Sequence, residues 1–333
     1  MSSRTLIIIS TFLFLAFLTW QLRWVLLVFF GAIIVAVAFD VLIQRLQKRV
    51  KVNRVFALLI VLMILIVAGL LIFQVLVPEL ITQVKELGNL LPTLELKIQS
   101  IISSQPRLVL LKQYIPDIFR WERVEPVGSK ILEFAGGAAN SFIQLLLISL
   151  LSILLVLDPN SHRQIIISAT PRPFRNDVSK LLDDCRIALG GWLEGMTISA
   201  SSIFMLTWAG LSLLKVPLAL LSALVCGLLT FVPTIGPTVA TLLPLGIALI
   251  ISPTLMIEVL ILRVILQNLE AFLLTPLLLS RTVNLLPTVA LMAQLSLGAL
   301  LGLPGLLIAL PLTVVLQVCI QEVLIAKVMD TWN

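Results

Sequence analysis

Long runs of residues without any charged side chain constrain this chain more than any other feature. Residues 55–78 and 134–157 carry no charge, and each run is long enough for a helix that crosses a bilayer, which needs about 20 apolar residues. Backbone amides in lipid must bond within the protein, so only helices or a closed barrel can span it. Barrel strands alternate apolar and polar positions, whereas these runs are almost continuously apolar. The sequence therefore predicts an all-α, polytopic helical membrane protein.

The composition agrees with lipid as the main solvent. Hydrophobic residues make up 59% of the 333 residues and charged residues only 12%, against about 25% charged in soluble domains. The net charge of +6 could indicate a nucleic-acid partner in a soluble protein. Here five bases lie within residues 45–54, where a membrane topology explains them better. The predicted partner is therefore the lipid bilayer, and no nucleic acid is expected.

The charge pattern divides the chain into about eight membrane helices or hairpins and a small insert. Residues 79–133 hold seven acids and seven bases, with apolar residues at helical spacing, and prolines such as Pro92 are expected to break this insert into short helices. The predicted segments are N-terminal transmembrane helices at 1–78, an extracytoplasmic amphipathic helical insert at 79–133, a transmembrane helix at 134–157, a cytoplasmic or interfacial helix at 158–194 and a C-terminal transport core at 195–333.

Two charge-free tracts in the core, 216–257 and 282–321, are each about twice the length of one crossing. Each must therefore contain a reversal, and we predict one at 231–237 and one at 298–305, where proline and glycine interrupt the apolar pattern. Such paired interruptions are typical of transporters. The pattern does not distinguish two full crossings from a re-entrant hairpin.

The lysines and arginines of short loops predict the orientation. Cytoplasmic loops of membrane proteins carry an excess of these residues, so the basic cluster at 45–54 is expected in the cytoplasm. The insert at 79–133 then lies outside, and both termini of this multi-pass protein lie in the cytoplasm.

Residues 258–281, between the two tracts, combine apolar residues with polar ones. Arg263, Gln267 and Glu270 are spaced i, i+4, i+7 and share a helix face, so Arg263 could neutralise Glu270 through Gln267; Asn268 and Pro276 lie nearby. Polar groups in lipid usually face a water-filled path or the protein interior. One interpretation is a cation or proton site, or the polar wall of a substrate path. The other is an ion pair that only fixes this helix.

The first reversal is the second candidate site. Broken helices expose free backbone groups that often coordinate ions or substrates, which favours a role for Pro233, Gly236 and Pro237; the alternative is a tight turn at the membrane surface. Weaker candidates are glutamines and an asparagine of the second tract, which often make only interhelical hydrogen bonds. These are Asn284, Gln294, Gln317 and Gln321.

Catalytic and metal motifs are missing from the sequence. It has no HExxH, GxSxG or Walker-type motif. The only histidine is His162, and the cysteines Cys185, Cys226 and Cys319 are widely scattered. We therefore expect no enzyme activity, no catalytic residues, no metal and no cofactor.

Four stretches together resemble the autoinducer-2 exporter (AI-2E) family along the whole chain. They are LGGWLEG at 189–195, FVPTIGP at 231–237, QNLEAFLLTP at 267–276 and LGLPGLLIALP at 301–311.

This resemblance implies a transporter of the bacterial inner (plasma) membrane that assembles as a homo-oligomer. Some family members are linked to export of the signal autoinducer-2, and others to exchange of sodium or lithium for protons. The residues that match the family motifs, and to which a pathway role carries over, are Pro233, Gly236, Pro237, Gln267, Glu270 and Pro276. The chain departs from the family at Leu286, where a polar residue often precedes the proline, and this weakens any proton role there.

Three functional hypotheses follow. The first is a secondary transporter of a small solute, with autoinducer-2 as one possibility. The second is a cation/proton antiporter that uses the Glu270 carboxylate. The third, from another class, is a membrane scaffold that transports nothing and in which the polar helix is structural.

Overall fold

A computed structural model describes residues 17–104, 139–232, 235–274 and 286–323, together with Ser10 and Phe14. All regular structure in these ranges is helical. A 3-10 turn, Arg172–Phe174, precedes α5, and a π-helical turn, Glu270–Leu274, follows α8. The helices named here are α1 Arg23–Arg49, α2 Arg54–Ser104, α3 Ala139–Leu157, α4 Pro159–Ala169, α5 Arg175–Leu213, α6 Ala219–Leu229, α7 Ile235–Ile251, α8 Pro253–Leu269 and α9 Pro287–Cys319.

The predicted class, an all-α membrane protein, is confirmed for the described ranges. Four helical segments are long and apolar enough to cross a bilayer, and a fifth is obtained if Ile143–Leu157 and Pro159–Ala169, which meet at 84°, are counted as one broken span. The predicted number of about eight is not confirmed. The four segments are Arg23–Arg49, Arg54–Ser100, Arg172–Leu213 and Pro304–Val323.

The contacts divide the chain into two compact units. Residues of α2, α5 and α9 contribute to both of them. Unit 1 comprises Met1–Val61, Ala139–Gly190 and Ala293–Asn333, and unit 2 comprises Leu62–Ala138 and Gly191–Met292.

In unit 1, α1 packs along α3 through small side chains. Ala32 and Ala36 of α1 are buried, and a methyl group added at Gly31 would lie 3.5 Å from Cδ1 of Ile148. Small residues let two helix backbones approach closely, and this is how helices commonly associate in membranes. The same buried stripe of α1 continues to Asp40.

Helix α2 is a single helix of 51 residues that contains Pro78 and Pro92. The expected helix break at Pro92 is therefore wrong. Proline removes one backbone hydrogen bond, but apolar side chains between the two prolines, including Leu80, Val84 and Leu90, pack against the core of unit 2. Tertiary packing of this face stabilises the continuous helix. At 1.5 Å per residue α2 is about 76 Å long, more than twice the hydrocarbon thickness of about 30 Å.

The first reversal in the C-terminal core lies where it was predicted. Helix α6 ends at Leu229, and α7 begins at Ile235 and packs against it. A methyl group at Gly236 would lie 1.9 Å from the Leu229 carbonyl oxygen, so the close approach requires glycine. The 11 residues of α6 rise about 16 Å, which is half of a crossing. This length favours a hairpin over two full crossings.

The second predicted reversal lies inside α9 at Gly302. Its φ of 66° and ψ of −149° lie in a region that essentially only glycine adopts. A methyl group at Gly305 would lie 2.2 Å from the carbonyl oxygen of Leu297, although eight residues of a straight helix rise about 12 Å. The chain therefore folds back here, as predicted.

A further break, which was not predicted from the sequence, separates α7 from α8. The Ser252 hydroxyl accepts a hydrogen bond from the Leu255 N–H at 3.1 Å, and Pro253 is the first helical residue. Serine as N-cap followed by proline is a common helix start. The break lets α7 and α8 pack against each other, and α8 then carries the predicted polar face.

The start of α6 receives its side-chain hydrogen bond from α2. The Leu221 N–H donates to Oε1 of Gln83 at 2.9 Å. Leu218, which precedes α6, has a left-handed φ of 55° and offers no side-chain cap. Gln83 therefore satisfies a first-turn amide that α6 itself leaves without an acceptor.

Candidate functional site

The guanidinium of Arg263 forms the centre of a polar cluster in unit 2. Arg263 lies on α8 and is only 3% exposed. Its Nε donates to Oγ1 of Thr241 and its Nη1 to Oγ1 of Thr207, both at 3.1 Å. The two partners, on α7 and α5, are neutral hydroxyls, so they orient the guanidinium without neutralising it.

The Thr241 hydroxyl links the guanidinium to the first reversal. While accepting from Arg263, it donates its own proton to the carbonyl oxygen of Pro237 at 2.7 Å. Pro237 belongs to the first turn of α7, directly after the break. The predicted reversal and the predicted polar helix therefore meet at one hydroxyl group.

The carboxylate of Glu270 lies at the C-terminal end of α8 and is half-buried. Its Oε1 accepts a hydrogen bond from Oγ of Ser199 on α5 at 2.9 Å. Ser199 is itself buried. A carboxylate held by a serine hydroxyl in an apolar region can bind a cation or a proton.

Two hydrogen bonds at different positions along the helices join α5 to α8. Ser199 pairs with Glu270 and Thr207 pairs with Arg263, so the residue numbers run in opposite directions, as in antiparallel helices. Seven or eight residues correspond to about 11 Å along a helix. Among the described residues, no ion pair joins Arg263 to Glu270, and the interaction between them is Coulombic at longer range.

The other predicted residues of α8 differ in exposure. Gln267, which lies between Arg263 and Glu270 on the helix, is half-buried. Asn268 is exposed and donates to the Val264 carbonyl at 2.7 Å. Gly236 is buried at the start of α7. The predicted site residues Pro233 and Pro276, and the weaker candidate Asn284, lie outside the described residues. The weaker candidates Gln294, Gln317 and Gln321 belong to unit 1.

Ser199, Thr207 and Thr241 are the site residues that sequence analysis missed. The buried positions of α5 recur every three or four residues and include Met196, Ser199, Ile203, Thr207 and Leu211. Hydroxyl groups on the buried face of an apolar helix usually bond to another helix. This periodicity could have marked Ser199 and Thr207, but it could not have identified their partners.

A second polar cluster, in unit 1, surrounds Asp40. Oδ1 of Asp40 accepts from Nη2 of Arg54 at 2.5 Å, and Oδ2 accepts from Nε of Arg186 at 2.8 Å and from Gln44. Nε of Arg54 also donates to the Val156 carbonyl at 2.7 Å. Asp40, the only acid in residues 1–78, thus joins α1 to α2 and α5, and Arg54 extends the cluster to α3. That isolation within an apolar run is the signal that sequence analysis passed over.

A cavity of about 450 Å³ lies between α2 and α7 in unit 2. Its walls are entirely apolar and include Leu87, Leu94, Leu242 and Leu249. Sites that bind small molecules use a few placed polar groups to orient the ligand. The cavity has none, so the Arg263 cluster is the better candidate for recognising a polar solute. Within the described ranges, no group of three or more His, Cys, Asp or Glu side chains could hold a metal ion.

Comparisons with known proteins give one consistent result. A family model described as AI-2E family transporter matches residues 7–325. The Bacillus subtilis (strain 168) protein named "Putative transport protein YrrI" is 30% identical over 149 residues, which cover 45% of this chain and 42% of that protein. A second protein of the same bacterium, "Putative transport protein YueF", is 23% identical over 296 residues, 84% of this chain and 79% of that protein. The first match thus spans less than half of the length of that relative.

Proposed function

Because this chain belongs to the AI-2E family of transporters, we propose that it moves a small solute across the membrane by secondary transport, along a path lined by the Arg263–Glu270 face of α8. The observation that carries this proposal is the pair of hydrogen bonds that joins α5 to α8, between Ser199 and Glu270 and between Thr207 and Arg263, beside the break before α7. These four residues are called the polar ladder below. Buried polar groups of this kind are expensive in lipid and usually mark substrate or ion paths. Transporters commonly bind substrate where helices are interrupted.

Autoinducer-2 is the solute we propose to test first. The choice rests on the sequence resemblance to the AI-2E family, because some members of that family are linked to export of this signal molecule. The hydroxyls and charged groups of the ladder suit a polar solute better than an apolar one.

Exchange of sodium or lithium for protons is the second candidate function. It is favoured by the half-buried Glu270 carboxylate and its hydrogen bond from Ser199. A single carboxylate that binds either a cation or a proton is sufficient for such an exchange. The scaffold hypothesis has no comparable support, since the relatives bear the names of transport proteins.

Solute flux in sealed vesicles that contain the purified full chain tests both functions side by side. Autoinducer-2 uptake and the pH change driven by a sodium gradient are measured for the wild type, Glu270→Gln and Glu258→Gln. Glu258 is an exposed acid on the same helix, so its variant is a matched control for the lost charge.

We expect autoinducer-2 uptake by the wild type and by Glu258→Gln. A sodium-dependent pH change that disappears only in Glu270→Gln would establish the antiporter instead. Folded wild-type protein that moves neither solute would contradict both assignments.

The bacterial inner membrane is the proposed location, with both termini in the cytoplasm. The basic cluster at 45–54 supports this orientation, and the two relatives are bacterial proteins. A homo-oligomer remains an implication of the family resemblance.

A further inference from the structure

We propose that Arg263 is the recognition group for an oxyanion, a carboxylate or phosphate carried by the transported solute. This inference rests on the proposed transport function, and it assigns an anionic class of substrate to the polar ladder. Autoinducer-2 carries neither a carboxylate nor a phosphate, so oxyanion binding at Arg263 would favour a different solute.

The guanidinium is a buried charge that is not neutralised by direct contact. Arginine stays protonated in proteins, and taking a charge out of water costs several kcal/mol unless it is paired. Arg263 is 3% exposed, and its hydrogen bonds among the described residues go to Thr207 and Thr241. The Coulombic partner, Glu270, is already engaged with Ser199.

The geometry leaves donors available and holds them in place. A guanidinium has five N–H donors in a fixed fork that matches the two oxygens of a carboxylate or phosphate. The two threonines occupy Nε and Nη1, and Thr241 is itself fixed by the Pro237 carbonyl. An oxyanion would therefore meet an oriented cation rather than a mobile side chain.

The N-terminus of the neighbouring helix α7 also favours a negatively charged ligand. The first turn of α7 begins at Ile235 and reaches the Arg263 environment through Pro237 and Thr241. A helix N-terminus carries a partial positive charge of about half a unit. Together with Arg263 it disfavours a metal cation at the Pro237 carbonyl and favours an anion.

Direct binding tests the proposal without requiring transport. The full chain is reconstituted in lipid nanodiscs at constant sodium chloride, and saturable binding of radiolabelled acetate and of radiolabelled inorganic phosphate is measured. The two probes distinguish a carboxylate from a phosphate. The variants are Arg263→Gln, Arg263→Lys, Glu270→Gln and Arg172→Gln, the last being a matched control because Arg172 is exposed on the 3-10 turn.

We expect at least one probe to bind saturably to the wild type and to Arg172→Gln. Arg263→Gln should lose about tenfold or more in affinity, the size of one charge-assisted hydrogen bond. Arg263→Lys keeps the charge but not the fork, so it should retain part of the affinity and should fold even if the glutamine variant does not. Glu270→Gln should bind the anion more tightly, since it removes a nearby negative charge.

The proposal is overturned if the folded wild type binds neither probe saturably, or if Arg263→Gln and Arg263→Lys both bind as the wild type does. Weaker anion binding in Glu270→Gln would also overturn it, because an anion held by Arg263 must bind more tightly once the nearby negative charge of Glu270 is removed. Failure of the transport proposal gives a different result, in which anion binding depends on Arg263 but no solute crosses the vesicle membrane.

Discussion

At the scale of single residues, Asp40 of unit 1 is a buried acid whose carboxylate pairs with two arginines. One carboxylate of 9% side-chain exposure accepts from two arginines whose side chains are 28% and 48% exposed. Because the arginines come from α2 and α5, and Asp40 from α1, the loss of one negative charge affects three helices at once. The two guanidinium groups would then repel each other with no negative charge between them.

Replacing Asp40 by asparagine should therefore destabilise the protein severely. We expect the free energy of unfolding to fall by about 2 kcal/mol, less than for a fully buried ion pair, because the two arginine side chains are partly exposed and their charges are partly screened by solvent. Thermal unfolding of the purified protein measures the change. Glu258→Gln, which removes an exposed acid, should stay within about 0.5 kcal/mol of the wild type. Equal melting of the two variants would contradict a stabilising role for Asp40.

The sequence predicted which residues of α8 share a face, but not what they bind. Arg263, Gln267 and Glu270 were selected correctly as one row because helical periodicity is local. Thr207 lies 56 residues and Thr241 22 residues from Arg263 in the chain, and no local pattern encodes such pairings. Arg263 was expected to neutralise Glu270 through Gln267. Instead, both charged groups form hydrogen bonds with hydroxyl groups on other helices.

At the scale of helices, the α6–α7 reversal depends on Gly236, which has no side chain to block the close approach of the two helices. Gly236→Ala would place a carbon 1.9 Å from the backbone oxygen of Leu229, and backbone cannot move aside as a flexible side chain can. We expect this variant to lose most solute flux in vesicles and to unfold at a lower temperature.

Gly69→Ala is the control for the reversal. Gly69 lies inside α2 with nothing within 4 Å of the added methyl group, and alanine is favoured over glycine in helices by about 1 kcal/mol. This variant should be as stable as the wild type or more so. Wild-type flux in Gly236→Ala would show that the close contact is dispensable.

The first turn of α4 should lose stability at acidic pH. The Ser161 side chain and N–H donate to the Asp158 carboxylate and hold its pKa below the usual 3.8. A carboxylate whose folded pKa is lowered stabilises above its usual pKa, and this contribution is lost as the pH falls through the lowered value. Amide hydrogen exchange in the first turn of α4 should therefore increase below about pH 4 relative to Asp158→Asn, which caps without titrating. Parallel pH profiles for the two proteins would contradict this.

The two reversals of the C-terminal core were predictable from the sequence because proline and glycine act on the backbone directly. The same reasoning failed at Pro92, where the apolar face of α2 packs on unit 2 and outweighs the lost hydrogen bond. It also missed the start of α8, although Ser252 and Pro253 form a recognisable N-terminus. Local backbone chemistry was thus predictable, and its competition with tertiary packing was not.

At the scale of the whole molecule, the orientation in the membrane can be tested with single cysteines. In a variant whose cysteines Cys185, Cys226 and Cys319 are replaced by alanine, we introduce Lys51→Cys or Thr93→Cys. In intact cells a membrane-impermeant maleimide should label only Thr93→Cys, because the basic cluster is expected in the cytoplasm. Labelling of Lys51→Cys instead would reverse the proposed topology.

The length of α2 has a consequence for inhibition. Its segment 79–104 carries charged residues suited to water, such as Glu79, Lys85 and Glu86, yet Gln83 within it holds the first turn of α6. If this segment lies outside the membrane, as the charge pattern predicts, a drug or antibody fragment bound along it would act on the α6–α7 hairpin without entering lipid. The proposed transport function could then be blocked from the aqueous side.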